Sequence, residues 1–125
     1  MKPVIWILAI ACWLTVISGT FITYPWYRAI PPDGADLVYF PQALLASSAG
    51  SAGWHSFGME WKEHIAWLSP FILTAVAYIA TLYGEAIARS AYLRKALMVL
   101  LTLAFVSVGV SALLGALITK KAPIL

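Results

Sequence analysis

Charge is what this sequence has least of. Only 10% of its 125 residues are Asp, Glu, Lys or Arg, whereas 62% are hydrophobic. Ordinary soluble proteins have about 25% charged residues, and a domain of this size has a large surface to expose to water. The composition therefore excludes an ordinary water-soluble domain. We expect the lipid bilayer to be the solvent for most of the chain.

Other features are absent as well. Cys12 is the only cysteine, so the chain can form no internal disulfide and its redox compartment cannot be inferred. The sequence has no phosphate-binding glycine loop, no nucleophile elbow and no cysteine cluster, which argues against an enzyme acting as an isolated chain. The net charge of +3 is small and scattered, so nucleic acid is not an expected partner.

What the sequence does have is three long stretches without charge, at residues 4–23, 65–84 and 96–118. About 20 helical residues cross a hydrocarbon core of about 30 Å. The stretches do not alternate apolar and polar residues, as the strands of a membrane barrel do. The sequence therefore predicts an all-α membrane protein, a single domain over 1–125 with three transmembrane helices at these positions.

A long connection, about residues 24–64, joins the first two spans and begins with a belt of aromatic residues. Loops longer than about 12–15 residues are uncommon unless they are functional or disordered. This one is too rich in aromatics and too poor in charge for disorder, so we expect a partly helical cap over the helices. Its small residues, 47–53, predict a flexible tip, and the second helix is expected to start near Gly58.

Candidate functional residues are concentrated in the second half of this loop. Both histidines of the chain and three of its six tryptophans lie between residues 54 and 67. The candidates are His55, Met59, Glu60, Trp61, His64 and Trp67. A helix that starts near Gly58 would place Glu60 and His64 on one face, four residues apart.

Three interpretations of this cluster remain open. In the first, His64 is an axial ligand of haem b, with Trp61 and Trp67 as walls and His55 or Met59 as a second ligand. His55 could serve only if the chain bends at Gly58, since nine residues of continuous helix would put the two imidazoles on opposite sides.

In the second interpretation, His55, Glu60 and His64 bind a metal ion such as zinc or copper. In the third, the histidines hydrogen-bond to the loop and hold the cap in place, which is the commonest role for such residues. Residues 19–28 (GTFITYPWYR) and 54–64 (WHSFGMEWKEH) resemble segments of small bacterial integral-membrane proteins associated with respiratory cytochrome systems. The resemblance implies a small redox subunit that contacts haem or quinol.

Expected partners are the bilayer and either a larger membrane protein or further copies of the chain. Rows of small residues on each span suit close helix packing. The eight Lys and Arg residues divide equally between the two sides, but the compact basic loop after the second span favours a cytoplasmic N-terminus. We therefore expect a multi-pass protein of the bacterial inner membrane with a periplasmic or extracellular cap. A structural or assembly protein and a small oligomeric channel are the alternative functions.

Overall fold

The computed structural model describes residues 2–121, which form helices and no strand. In this part of the chain we number the helices α1 Lys2–Tyr27, α2 Pro41–Ala46, α3 Ala49–Leu82, α4 Gly84–Arg89 and α5 Ala91–Lys121. By length and composition, α1, α3 and α5 are suited to crossing a membrane. The predicted class, an all-α multi-pass membrane protein, is confirmed at this level.

The second membrane helix starts much earlier than predicted. α3 begins at Ala49, so the prediction of a capping loop up to residue 64, with a helix start near Gly58, is wrong. Ser48 ends the loop in an extended conformation, and its carbonyl accepts hydrogen bonds from Ser51 N (3.1 Å) and Ala52 N (2.9 Å). Further along, Gly58 is buried. Packing of this kind outweighs the low helix propensity of glycine.

Two hydrogen-bonded pairs join α1 to α3. Trp6 Nε1 donates to Thr81 Oγ1, and Trp13 Nε1 donates to Thr74 Oγ1, both at 3.0 Å. The two tryptophans are seven residues apart, as are the two threonines, which is the spacing of neighbouring contacts between antiparallel helices. Each threonine hydroxyl donates in turn to the carbonyl four residues earlier on α3. Every polar atom of these pairs is therefore satisfied within the apolar region.

Replacing Thr74 by valine is expected to destabilise the α1–α3 pair by about 0.6–1.7 kcal/mol, the range measured for interhelical hydrogen bonds in membranes. Valine keeps the shape of threonine but cannot accept the Trp13 hydrogen bond. Reversible unfolding in detergent micelles measures the change. Thr102→Val is the matched control, since the Thr102 hydroxyl donates only to Met98 O of its own helix; an equal loss for both variants would contradict the assignment.

On its other side α3 packs against α5. The Ser69 hydroxyl donates to Ala104 O (3.4 Å), and the Ser107 hydroxyl donates to Ile65 O (3.2 Å). Ala104 and Val76, each 1% exposed, fill the space between the helices. α1 and α5 thus each pack chiefly on α3, with no contact of similar extent between them.

Both α1 and α3 contain one π-helical turn near a proline. The turn in α1 covers Gly19–Thr23 and precedes Pro25; the turn in α3 covers Trp61–Ile65 and precedes Pro70. A proline cannot donate to the carbonyl four residues earlier. At Pro70 that carbonyl belongs to Ala66, and it accepts from Ser69 N instead (3.3 Å). Wide turns of this kind occur often at functional sites.

The loop between α1 and α3 folds back over the helix ends. Its first reversal has Gly34 at φ +77°, a conformation that favours glycine. Further on, the Asp36 carboxylate accepts from Val38 N (3.0 Å) at the start of a 3-10 turn. Beyond it, Tyr27 and Leu45 form a small core, against which pack Leu44, Met59 and Ile118. We call the loop, α2 and the first turns of α3 the cap.

Candidate functional site

A polar cluster lies between the end of α1 and the π-helical turn of α3. The Tyr24 hydroxyl donates to the Glu63 carboxylate, which ties the end of α1 to α3. Arg28 donates to the Tyr24 oxygen (2.8 Å), and its guanidinium carbon lies 5.1 Å from the centre of the Tyr24 ring. Arg28 thus turns towards Tyr24, and no ion pair between it and the loop acids is present among the described residues.

His64 follows Glu63 directly on α3 and is held from one side only. Its Nδ1 lies 3.1 Å from the backbone oxygen of Glu60 and 3.3 Å from the Glu60 carboxylate. Both oxygens are acceptors, so Nδ1 carries the proton and donates. In the neutral ring Nε2 then has a free lone pair, and it makes no hydrogen bond within residues 2–121. The side chain is 67% exposed.

His55 has a different environment. Its Nδ1 lies 2.8 Å from the Tyr27 hydroxyl, and the two rings are 5.8 Å apart. Tyr27 is 8% exposed, whereas His55 is half-buried. Because α3 is helical through both histidines, the bend that would bring His55 beside His64 does not occur. His55 links the cap to α1.

The other predicted site residues also lie apart from His64. Trp61 Nε1 points at Ser107 O on α5 (3.5 Å), and Trp67 packs edge-on against Trp13 of α1, with ring centres 6.2 Å apart. Met59 packs in the cap core. The residues predicted to surround a haem are therefore spread over the α3–α5 contact, the α1–α3 contact and the cap.

Of the three predicted metal ligands, the structure brings together Glu60 and His64 and places His55 against Tyr27. No group of three or more His, Cys, Asp or Glu side chains converges anywhere in the described part of the chain. The site as it stands offers one imidazole nitrogen and nearby carboxylates. Such a set suits a ligand that donates hydrogen bonds.

An exposed strip runs along α3 from His64 towards the C-terminal end of the helix. It borders the surface packed on α1, since the ring of Phe71 also packs edge-on against Trp13 with ring centres 5.0 Å apart, and it is apolar except for the tyrosine hydroxyl. Its residues are Leu68, Phe71, Ala75, Tyr78 and Leu82. We call these residues the α3 strip. This surface has a polar end at His64 and continues as the apolar α3 strip. It is therefore complementary to an amphiphile, a molecule with a polar head and an apolar tail.

Lys62 is directed away from this face. Its ammonium nitrogen lies close to Gly115 on α5, at 3.4 Å from the point where a Cβ would be. The cation nearest to the cluster is therefore Arg28, which Tyr24 already holds. Near His64 along α3 there are two carboxylates, Glu60 and Glu63, so the negative charge around the imidazole disfavours anionic ligands.

His64 and Glu60 are among the site residues predicted from the sequence. Tyr24 was expected only as part of the aromatic belt, and Glu63 only as an acidic residue in the first turn of the second helix, where it favours the helix dipole. Comparisons of the chain with protein-family models, with curated proteins and with solved structures returned no match.

Proposed function

We propose that the protein is a small integral-membrane subunit of a bacterial redox complex, and that it contacts haem b or quinol at His64. The observation that carries the proposal is the fixed, exposed imidazole: Glu60 holds Nδ1, and Nε2 has no hydrogen-bond partner within residues 2–121. A histidine oriented in this way through its other nitrogen is the usual arrangement for a ligating or accepting imidazole.

The chain supplies binding and orientation and leaves electron transfer to a partner. Residues 65–82 of α3 include no Asp, Glu, Lys or Arg. This part of the helix therefore offers no charged side chains for an internal proton relay. A larger cytochrome would hold the redox centres. In this proposal the protein lies in the cytoplasmic membrane with its cap on the outer side.

A tagged copy purified gently from membranes is expected to bring down a cytochrome that shows a Soret band. His64→Ala should weaken the contact with the cytochrome and change the absorption spectrum measured with bound ligand. The protein should stay folded, because the His64 side chain is exposed. His55→Ala is the matched control, as it removes the other histidine but leaves His64 Nε2 in place. If no haem-containing partner co-purifies and neither histidine changes any spectrum, the redox proposal is wrong.

The second candidate is a structural or assembly protein, which the cap surface favours. Trp54, 69% exposed, stacks edge-on with exposed Phe57, with ring centres 6.5 Å apart. The helical rise puts Trp54 about 15 Å beyond His64, outside the hydrocarbon. No charged residue occurs from 37 to 59. A partner that survives both histidine substitutions but is lost with Trp54→Ala would favour this function.

A further inference from the structure

We infer that the ligand at His64 is a lipid-soluble quinol that enters sideways from the bilayer, with a ring hydroxyl donating to His64 Nε2 and its apolar tail along the α3 strip. The inference rests on the proposed redox function and names the ligand class. It concerns binding only, since oxidation of the quinol belongs to the partner.

The hydrogen-bonding capacity of the site selects a donor. His64 Nδ1 is already used by Glu60, so the ring offers one acceptor, Nε2. The carboxylates of Glu60 and Glu63 are acceptors as well. A quinol hydroxyl donates to such groups, whereas the oxidised quinone has carbonyl oxygens alone and cannot. The site should therefore distinguish the two redox forms.

The depth of His64 fits the same ligand. At about 1.5 Å per residue, His64 lies about 27 Å along α3 from Leu82, close to the thickness of the hydrocarbon core. Lys2 Nζ donates to Thr81 O at the far end and marks the opposite membrane edge. A neutral ring with an apolar tail is expected to be stable at this boundary of the hydrocarbon core. Leu68 and Phe71 follow directly below, both exposed.

The shape of the site argues for a tail-bearing molecule over a wide macrocycle. Trp61 and Trp67, which would have to wall a haem, are held in the contacts with α5 and α1. What remains around His64 is an open surface that continues into the α3 strip. A phosphatidylethanolamine head also donates hydrogen bonds and also carries apolar tails, so the experiment must separate it from quinol.

The test uses the full chain in phosphatidylcholine nanodiscs with 15N-labelled histidine. The chain has two histidines, so each imidazole can be followed separately by NMR. Decylubiquinol under argon should move the His64 Nε2 signal and leave His55 unchanged, and decylubiquinone should move neither. His64→Leu should weaken quinol binding about tenfold, the loss expected for one hydrogen bond, while His55→Gln should bind normally.

Three results would overturn the inference: a silent His64 signal, an equal shift with the quinone, or a shift caused by phosphatidylethanolamine and not by quinol. If His64→Leu fails to fold, Glu60→Gln tests the same site. This variant keeps the imidazole but changes the partner of Nδ1, so its His64 Nε2 signal with quinol should differ from that of the unchanged protein. Failure here is separable from failure of the proposed function. If a cytochrome co-purifies but quinol does not move the His64 signal, the proposed redox subunit is retained and only quinol as its ligand is excluded.

Discussion

Replacing Tyr27 by alanine is expected to open the cap at a cost of about 3–5 kcal/mol, as for other buried aromatic side chains. Tyr27 is almost fully buried, at the end of α1, and packs against Leu45. Its hydroxyl also holds His55, so the change removes both the packing and the hydrogen bond between α1 and α3. The membrane helices keep their own contacts and should remain folded.

Hydrogen exchange of the cap amides measures this effect, because local opening exposes them while the spans stay protected. Tyr27→Phe separates the two contributions: it keeps the ring and should cost about 1 kcal/mol for the lost hydrogen bond. If Tyr27→Phe and Tyr27→Ala accelerate exchange equally, the packing role is wrong. His55→Ala combined with Tyr27→Phe should be less than additive, since both remove the same hydrogen bond.

Alanine at Gly50, Gly53 and Gly58 together is expected to stabilise the first turns of α3 by about 1.5–3 kcal/mol, at about 0.5–1 kcal/mol for each glycine in a helix. There is room for each methyl group. A Cβ on Gly58 would lie 3.7 Å from Ile118, which is ordinary contact, and one on Gly53 would have nothing within 4 Å.

This experiment distinguishes the observed helix from the flexible tip predicted from the sequence. A hinge at residues 47–53 would gain little from alanine, whereas a helix should show slower amide exchange in all three turns. Gly34→Ala is the opposite control: with φ at +77°, an alanine there is strained and should destabilise the loop by about 1 kcal/mol. Faster exchange in the triple variant would contradict the helix from Ala49.

The spans could be predicted because the bilayer imposes a rule that a single sequence displays. A charged side chain is costly in hydrocarbon, so the charge-free stretches mark the helices regardless of how these pack. The start of α3 could not be found in this way. Its glycines and serines favour a loop locally, and the outcome depends on distant residues such as Leu114 and Ile118 of α5, which lie against Gly58.

Only the part of the candidate site that depends on spacing along one helix could be predicted from the sequence. The spacing of Glu60 and His64 is local, and the structure pairs them. The contact of Tyr24 with Glu63 joins residues far apart in the sequence and depends on how α1 and α3 are aligned. The direction in which Trp61 and Trp67 turn also depends on the neighbouring helices. Spacing along one helix carries no information about that alignment.

Each of the two π-helical turns accommodates one residue more than an α-helical turn, because its hydrogen bonds span five residues where those of an α-helix span four. The residues before and after such a turn therefore keep nearly the same orientation about the helix axis. Deleting one residue from Trp61–Ile65 should convert the turn to α-helix and leave the cap close to its present position. The loss would fall on contacts made from within the turn, such as that of Glu63 with Tyr24. Length changes of one residue should thus be better tolerated in Gly19–Thr23 and Trp61–Ile65 than elsewhere in the two helices.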